Sequence, residues 1–171
     1  IDDLVIGVQP VEAPAEYTFD DSADLSLDFA SGGDADWVVS TDEGYLSANS
    51  MQAGSIGNGE ETTASVSVSF TEPTLVAFWY KVSSESCCDG LEFSVDGGSD
   101  LLSFASGTVD WTFFSTTVAA GSHTLTWNYN KDGSVGTGSD TAWVDRVTFG
   151  HPASGTNVGY GFESGIPVEG D

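Results

Sequence analysis

Alternation of apolar and polar residues with a period of two is the feature that most constrains this chain. It is clearest in Ser65–Phe70, where valine or phenylalanine alternates with serine. The same alternation recurs in Leu91–Val95 and His123–Tyr129, between stretches rich in Gly, Ser and Asp. A period of two is the side-chain repeat of a β-strand and not of a helix. Short strands separated by turns predict an all-β fold, a two-sheet antiparallel jelly-roll sandwich.

Four other segments are expected to be strands. Thr74–Ser83 carries apolar side chains on both faces, which is typical of a strand in the middle of a sheet. Trp111–Val118 ends just before Ala119–Ser122, so it is expected to pair with His123–Tyr129 as an antiparallel hairpin. The four segments are Tyr17–Asp20, Trp37–Val39, Thr74–Ser83 and Trp111–Val118.

The polar stretches between these strands are expected to be exposed loops. Asp21–Asp36 is rich in acids, and Ala48–Thr63 consists mostly of Gly, Ser, Asn and Glu. Helical signal is weak, and its nearest candidate, Ser47–Gly54, is interrupted by Gly and Asn. Ten Phe, five Trp and five Tyr supply the core of a domain of this size.

Thr141–Gly150 is the most informative strand because it places an acid among apolar residues. If its side chains alternate without interruption, Trp143, Val147 and Phe149 share one face. Asp145 falls on that same face and would point into the core. A buried carboxylate is costly unless it is neutralised, paired with a cation, bound to a metal or hydrogen-bonded. Both a metal and a set of backbone amides would satisfy Asp145.

The start and the end of the chain carry echoes of its interior. Asp2 and Asp145 occupy matching positions in similar segments, as do Phe19 and Phe162, and each pair is 143 residues apart. Two matches at one ungapped offset predict a tandem repeat. The alternative is that both ends add ordinary strands to one sheet.

The repeat divides the chain into three parts. Residues 1–15 are predicted to hold the last strand of a preceding repeat plus a linker. Residues 16–150 form one jelly-roll sandwich, and residues 151–171 hold a linker plus the first strand of a following repeat. Neighbouring copies of the same module are therefore the expected partners, joined either covalently or by assembly.

Charge excludes several classes of partner. Twenty-seven acidic residues stand against three basic ones, Lys81, Lys131 and Arg146, for a formal net charge of −24. Nucleic acid and anionic membranes are poor partners for such a surface, whereas divalent cations are good ones. No apolar run approaches the length of a membrane span, so membrane insertion is not expected. An acidic surface of this kind indicates an extracellular or cell-surface protein.

The only two cysteines, Cys87 and Cys88, are adjacent. They could form a vicinal disulfide, remain thiols or pair between chains, and an extracellular location favours the disulfide. With no further cysteine, a zinc site built on thiolates is not expected.

Five short motifs in a fixed order resemble a known family. The chain is similar to the MAM domain and related concanavalin A-like jelly rolls. Three further stretches look like modules repeated in large secreted proteins of marine bacteria: Lys81–Glu85, Gly121–Trp127, and Lys131-Asp132-Gly133 with Asp140–Trp143. The chain lacks the disulfide cysteines of animal MAM domains, so the resemblance extends to the sandwich and its metal site. The motifs are Phe19-Asp20, Asp36-Trp37, Phe78-Trp79-Tyr80-Lys81, Trp111 and Ala142-Trp143-Val144-Asp145.

The resemblance implies a calcium ion near Asp20, Asp36 and Asp145, completed by backbone carbonyls because calcium takes six to eight oxygen ligands. A weaker second cluster lies on loops that the resemblance brings to one edge. There a solvated acidic rim, with Lys81 or Lys131 paired to one member, is the favoured interpretation. The members of the second cluster are Glu85, Asp89, Asp132 and Asp140.

No recognisable catalytic signature is present, and His123 and His151 are far apart, so the chain is not expected to be an enzyme. The leading hypothesis is a non-catalytic extracellular structural or adhesive module, tandemly repeated or self-assembling into a stalk or filament and stabilised by calcium. The alternative is a carbohydrate-binding module of a secreted hydrolase, whose exposed aromatic side chains stack on glycan rings. Each candidate aromatic is expected to be a core residue more often than a ligand contact. The candidates are Trp37, Trp79, Trp111, Trp127 and Tyr129.

Overall fold

Eleven strands and one short helix make up the regular structure of residues 16–150, the part of the chain that the computed structural model describes. The elements are β1 (Glu16–Tyr17), α1 (Ala23–Asp28), β2 (Phe29–Gly33), β3 (Val38–Ser40), β4 (Ser50–Gln52), β5 (Glu61–Phe70), β6 (Thr74–Ser83), β7 (Gly90–Val95), β8 (Leu102–Ser106), β9 (Thr108–Val118), β10 (Gly121–Asn130) and β11 (Thr141–Gly150). The strands that the repeat predicts near the two ends of the chain lie outside the described residues. Within residues 16–150 no helix is long and apolar enough to cross a bilayer.

The strands form two antiparallel sheets, which confirms the predicted fold class. In the first sheet the order is β3-β4-β11-β6-β9, and β1 pairs with the end of β11 that β4 leaves free. In the second sheet the order is β2-β5-β10-β7-β8. β6 lies between β11 and β9, so the prediction that Thr74–Ser83 is an interior strand is confirmed.

The predicted hairpin of β9 and β10 is wrong. β9 pairs with β6 in the first sheet, and β10 lies between β5 and β7 in the second. Stacked sheets are about 10 Å apart, a distance that a few extended residues can span, so a short connection serves a crossover as well as a hairpin turn. The alternation identifies β9 and β10 as strands, but it does not show which strands pair with them.

Both polar stretches contain regular structure that their composition hides. Residues 21–36 contain α1 and β2, and residues 48–63 contain β4 and the start of β5. Met51 in β4 and Ala53 just after it are buried. The helix candidate Ser47–Gly54 is therefore wrong. β4 has only three residues, which is too short for alternation to be recognised, and its conformation comes from pairing with β3 and β11.

Aromatic rings fill the space between the sheets. Phe78 from the first sheet packs edge-to-face on Phe93 and Trp127 from the second, with ring centroids 5.0 and 5.4 Å apart. All three side chains are fully buried, as is Tyr129. Such contacts fix how one sheet sits on the other.

A bulge near the middle of β11 changes which side chains face the core. Ala142 and Val144 belong to the core, but the register with β6 then shifts between Asp145 and Thr148, and Arg146 has a φ of +49°. After the bulge Val147 faces inward. The predicted shared face of Trp143, Asp145, Val147 and Phe149 is therefore wrong, because the extra residue breaks the alternation. Trp143 and Asp145 lie on the outer face of the first sheet, opposite Lys81 and Trp79 of β6.

Candidate functional site

The outer face of the first sheet carries aromatic side chains that the core does not use. Trp79 on β6 and Phe113 on β9 are cross-strand partners, with ring centroids 5.4 Å apart. Their chain neighbours Phe78 and Phe114 point to the opposite side and pack in the core. Phe113 is 53% exposed and Trp79 is half-buried, so both rings are available to solvent.

A third ring reaches this face from the loop between β3 and β4. Tyr45 stacks on Trp79 with ring centroids 3.7 Å apart and planes at 13°, and Trp111 lies 6.1 Å from Tyr45. The loop is tied to the bulge of β11. The backbone N–H of Tyr45 donates to Asp145 Oδ2 at 2.8 Å, and Arg146 Nε donates to the Tyr45 carbonyl at 3.4 Å.

The rings of Tyr45, Trp79 and Phe113 line a cleft of about 390 Å³, which we call the aromatic cleft. Leu46 is 78% exposed at its rim, and an ion pair between Arg146 and Glu16, at 2.6 Å, stands along one side. Large exposed apolar groups beside a charged pair are typical of a binding surface. The lining residues are Glu16, Tyr45, Leu46, Trp79, Phe113, Arg146 and Thr148.

A second cleft of about 740 Å³, the polar cleft, adjoins the first on the same face. Lys81 follows Trp79 on the outer side of β6; its ammonium group contacts Glu43 Oε1 at 2.7 Å and lies 5.7 Å from the centre of the Trp143 ring. The cleft thus offers carboxylates, an amide and an ammonium group near an indole ring. Its polar lining residues include Asp42, Glu43, Gln52, Lys81 and Asp110.

Asp145 is fully buried beneath the loop that carries Tyr45. Desolvation raises the pKa of Asp145 to about 6, against hydrogen bonds from the amides of Tyr45 and Arg146 that lower it. Each carboxylate oxygen accepts one of those amides, at 2.8 and 2.7 Å. Asp145 therefore anchors the Tyr45 loop. Of the two alternatives that the sequence left open for this carboxylate, a metal ion or backbone amides, the structure shows the hydrogen bonds from backbone amides.

Two of the three acids predicted to hold calcium, Asp20 and Asp145, interact electrostatically, but the three do not form a group of ligand atoms within 4.8 Å of one another. The charge of Asp20 is close enough to Asp145 to raise the pKa of Asp145 further. Asp36 lies just before β3, where its backbone carbonyl is close to Gly54. The calcium site at Asp20, Asp36 and Asp145 stays a prediction.

The second predicted cluster separates into two parts. Asp140 is bound by Lys131, whose side chain is almost fully buried, and by the hydroxyl of Tyr129. The expected pairing of a lysine with one member is thus confirmed, whereas the expected solvated rim is wrong, because Asp89 is fully buried. The other three acids, which we call the acidic loop cluster, are Glu85 and Asp89 between β6 and β7 and Asp132 just after β10.

Within residues 16–150 one group of three metal-ligand atoms lies within 4.8 Å, and it contains Glu85, Cys88 and Asp132. Cys87 and Cys88 are bonded to each other, so the sulfur of Cys88 is not a thiolate. Asp89 is fully buried beside this group, and its Oδ1 accepts the backbone N–H of Asp132 at 2.9 Å.

His123 is hydrogen-bonded through both ring nitrogens. Its Nδ1 lies 2.7 Å from Asp96 Oδ2, and its Nε2 lies 3.0 Å from the carbonyl oxygen of Ala119. The hydrogen bond to Asp96 raises the pKa of His123. Both ring nitrogens have partners, so this residue ties the β9–β10 connection to the second sheet.

Sequence reasoning found part of the aromatic cleft and missed the rest. Two of the five candidates for sugar stacking lie on the outer face: Trp79 lines the cleft, and Trp111 lies beside Tyr45. The other three, Trp37, Trp127 and Tyr129, are buried in the core. Tyr45 and Leu46 were missed because they lie in a loop without periodicity. The run Trp111–Phe114, with rings on both faces of a strand, was the available signal for Phe113.

No protein-family model matches the sequence, and no curated protein matches it. Solved structures do match, at low identity. The K1 cleaved adhesin domain of Lys-gingipain from Porphyromonas gingivalis W83 superimposes with a TM-score of 0.58 and 12% identity, over 81% of this chain and 98% of that domain.

Two carbohydrate-binding structures match to a similar degree. The CBM22-2 xylan-binding domain of Xyn10C from Paenibacillus barcinonensis gives a TM-score of 0.55 at 14% identity, over 80% of this chain and 98% of that one. TmCBM61, solved with β-1,4-galactotriose, gives 0.53 at 13%, over 78% of this chain and 94% of that one. These similarities confirm the sandwich fold of the predicted resemblance, and the MAM-like assignment stays a prediction.

Proposed function

We propose that this chain is a non-catalytic extracellular binding module whose ligand is a neutral glycan held on the outer face of the first sheet. The group of part-exposed rings in the aromatic cleft carries the proposal, with Tyr45 stacked on Trp79 and Phe113 beside them. From the sequence, carbohydrate binding was the alternative to a structural or adhesive role. The outer-face geometry favours it, because these rings have no role in the core.

The two clefts together supply the chemistry that a sugar requires. The apolar face of a pyranose ring packs on an aromatic side chain, and its hydroxyls donate to carboxylates and exchange hydrogen bonds with amides. Trp79 and Phe113 offer the first kind of contact, and Gln52 and Asp110 in the adjoining polar cleft offer the second. An oligosaccharide that spans both clefts would use both kinds.

Charge narrows the class of glycan. A net charge of −24 repels sulfated or uronic acid polymers, so a neutral polysaccharide is the better ligand. Two of the similar structures are in keeping with this choice, one being a xylan-binding domain and the other a complex with β-1,4-galactotriose.

The test is a glycan array followed by titration calorimetry with the neutral oligosaccharides that bind. Trp79→Ala should weaken binding roughly five- to tenfold, in line with the loss of one aromatic stacking contact. Leu27→Ala, at an exposed apolar residue on α1 that lines neither cleft, serves as the control and should bind like the unaltered protein. Failure of every neutral glycan to bind at millimolar concentration would remove the proposal.

A second candidate function is adhesion by a tandem array of such modules. The 143-residue offset supports it, as does the occurrence of similar domains in sets: K1, K2 and K3 of Lys-gingipain, and the CBM22-1–CBM22-2 tandem of Xyn10C. Residues 1–15 and 151–171 would then contact neighbouring copies. Deletion of residues 1–7 should lower the melting temperature or reduce association in sedimentation experiments. If neither quantity changes, the terminal residues make no such contact.

Calcium at Asp20, Asp36 and Asp145 belongs to the same proposal. Burial of Asp145 and the nearby charge of Asp20 support it, since a cation would offset both. Chelation should lower the melting temperature of the unaltered protein. In Asp20→Asn that effect should be smaller, and an equal effect in the two proteins would place any calcium elsewhere.

A further inference from the structure

The acidic loop cluster contains buried oxygens that nothing in the described part of the chain satisfies. Asp89 is fully buried, and its Oδ2 accepts no hydrogen bond from residues 16–150. Oε2 of Glu85 is also buried without a partner there. A buried carboxylate oxygen without a hydrogen bond is costly, and two of them in the same β6–β7 loop add mutual repulsion.

Within residues 16–150 no side-chain cation is free to offset this charge. The chain has three Lys and Arg residues, and each is bound to an acid outside the cluster. His123 is engaged with Asp96. The three basic pairs are Lys81 with Glu43, Lys131 with Asp140, and Arg146 with Glu16.

Ligand atoms of three residues lie close together at this edge, and the buried carboxylate of Asp89 adjoins them through Asp132. An oxygen of Glu85, an oxygen of Asp132 and the sulfur of Cys88 lie within 4.8 Å of one another, which is close enough to surround one ion. Asp89 holds Asp132 against this group by accepting its backbone N–H. Asp132 is also fixed through its Oδ1, which accepts hydrogen bonds from the amide and hydroxyl of Ser134.

We propose that Glu85, Asp89 and Asp132 bind a divalent cation, and that calcium is the ion. The donors are oxygens, because the sulfur of Cys88 is tied up in the disulfide and a thiolate is the form that binds soft metals. Calcium accepts irregular sets of carboxylate and carbonyl oxygens and fills its remaining positions with water. Magnesium requires a near-octahedral arrangement, which fits ligands on two separate loops less well.

The ion joins three loops at one edge of the sandwich. Glu85 and Asp89 come from the β6–β7 loop, and Asp132 begins the β10–β11 loop. The carbonyl of Asp132 accepts the N–H of Gly59 at 2.6 Å, which brings in the β4–β5 connection as well. Bound calcium would therefore stabilise this edge independently of the glycan face and of the site predicted at Asp20 and Asp145.

The experiment compares the whole chain, stripped of metal with a chelator, with the same chain after CaCl₂ is added. At calcium about 100-fold above Kd, a single site should raise the melting temperature by about 8 °C. Calorimetry should show one bound calcium fewer in Asp89→Asn than in the unaltered protein. Glu85→Gln should weaken that site at least tenfold.

The sign of the Asp89→Asn effect separates a metal ligand from a structural residue. An asparagine keeps the oxygen that accepts the Asp132 amide and replaces the unsatisfied oxygen by a neutral group. Without calcium the variant should therefore melt higher than the unaltered protein, and with saturating calcium it should melt lower. A residue with only a structural role would lower the melting temperature under both conditions.

Two controls locate the effect. Asp100→Asn removes the same charge from an exposed position outside the cluster and should leave calcium binding unchanged. Asp20→Asn should leave the site at the acidic loop cluster intact. Calcium binding with unchanged stoichiometry and affinity in both Glu85→Gln and Asp89→Asn would overturn the proposal, as would the absence of calcium binding to the unaltered protein. If Asp89→Asn does not fold, Glu85→Gln decides alone.

Discussion

Two sets of aromatic side chains in this molecule have opposite surroundings. The inner set, which includes Phe78, Phe93 and Trp127, is fully buried and packs edge-to-face between the sheets. The outer set, which includes Tyr45 and Trp79, stacks in parallel on the outside of the first sheet. The inner rings are explained by the stability of the sandwich. The outer rings keep apolar area in water, which points to a ligand.

Strands β6 and β9 each supply a ring to both sets, so the two sets can be compared at neighbouring positions of one strand. Phe78 and Trp79 are consecutive in β6, and Phe113 and Phe114 are consecutive in β9, yet each pair divides between the core and the outer face. Neighbouring rings thus share a backbone environment and differ mainly in what covers them. Substitutions in the two sets should therefore affect different properties.

The largest effect is expected in the inner set. Trp127→Ala should lower the free energy of unfolding by about 3–5 kcal/mol, because it removes a fully buried ring that contacts three others in the core. Denaturant titration measures this loss, and Trp127→Phe should retain part of the stability. A loss below about 1 kcal/mol in Trp127→Ala would show that the ring is not a core element.

The next effect concerns Asp145, which anchors the loop that carries Tyr45. Its folded-state pKa of about 6 lies above the ordinary value of 3.8, so the folded protein binds this proton more tightly than the unfolded chain does. The contribution of Asp145 to stability should therefore rise as pH falls from about 6 to about 4, by about 3 kcal/mol in total.

Comparison with Asp145→Asn isolates this contribution, because the other acids are common to both proteins. As pH falls from about 6 to about 4, the unfolding free energy of the unaltered protein should rise relative to that of Asp145→Asn. A constant difference would mean that the folded-state pKa of Asp145 is not raised. Bound calcium would give this result, because a cation lowers the pKa of a carboxyl group that it contacts.

A smaller effect on stability is expected at Phe113 in the outer set. Phe113→Ala should lower the free energy of unfolding by about 1 kcal/mol or less, because the ring is 53% exposed. The same change should weaken glycan binding roughly fivefold. Calorimetry and denaturant titration on one preparation give both values. A large stability loss with unchanged affinity would move Phe113 to the inner set.

The smallest effect is expected from a matched pair of exposed leucines. Leu46 and Leu27 are 78% and 79% exposed, and only Leu46 lines the aromatic cleft. Alanine at either position should change stability by less than about 0.5 kcal/mol. Leu46→Ala should weaken glycan binding about twofold, and Leu27→Ala should not change it. Equal affinities in the two variants would exclude Leu46 from the contact surface.

The positions of the strands were easier to predict from the sequence than the pairing between strands. Alternation identified β5, β7 and β10 because each has one side on the core, but it is silent on pairing, and so the β9–β10 crossover was mistaken for a hairpin. The extra residue at Arg146 changed the face of Asp145, and no local signal marks a bulge of this kind.

The candidate site was predictable only where it lies on regular strands. Trp79 came from the periodicity of β6, whereas Tyr45 sits in a loop whose path depends on a hydrogen bond to Asp145, 100 residues away in the chain. Glu85 and Asp89 were grouped with Asp132 and Asp140 by loop position. Only the three-dimensional structure shows that Lys131 forms an ion pair with Asp140, while the acidic loop cluster has no basic partner.

The most direct test of glycan binding on the outer face follows the indole N–H signals of the five tryptophans by nuclear magnetic resonance during titration with a neutral oligosaccharide. Single Trp→Phe variants assign the signals. The account predicts that Trp79 and Trp111 shift as the sugar binds, while Trp37 and Trp127, in the core, stay where they are. Shifts confined to Trp37 and Trp127, or no shift with any oligosaccharide that the array identifies, would contradict it.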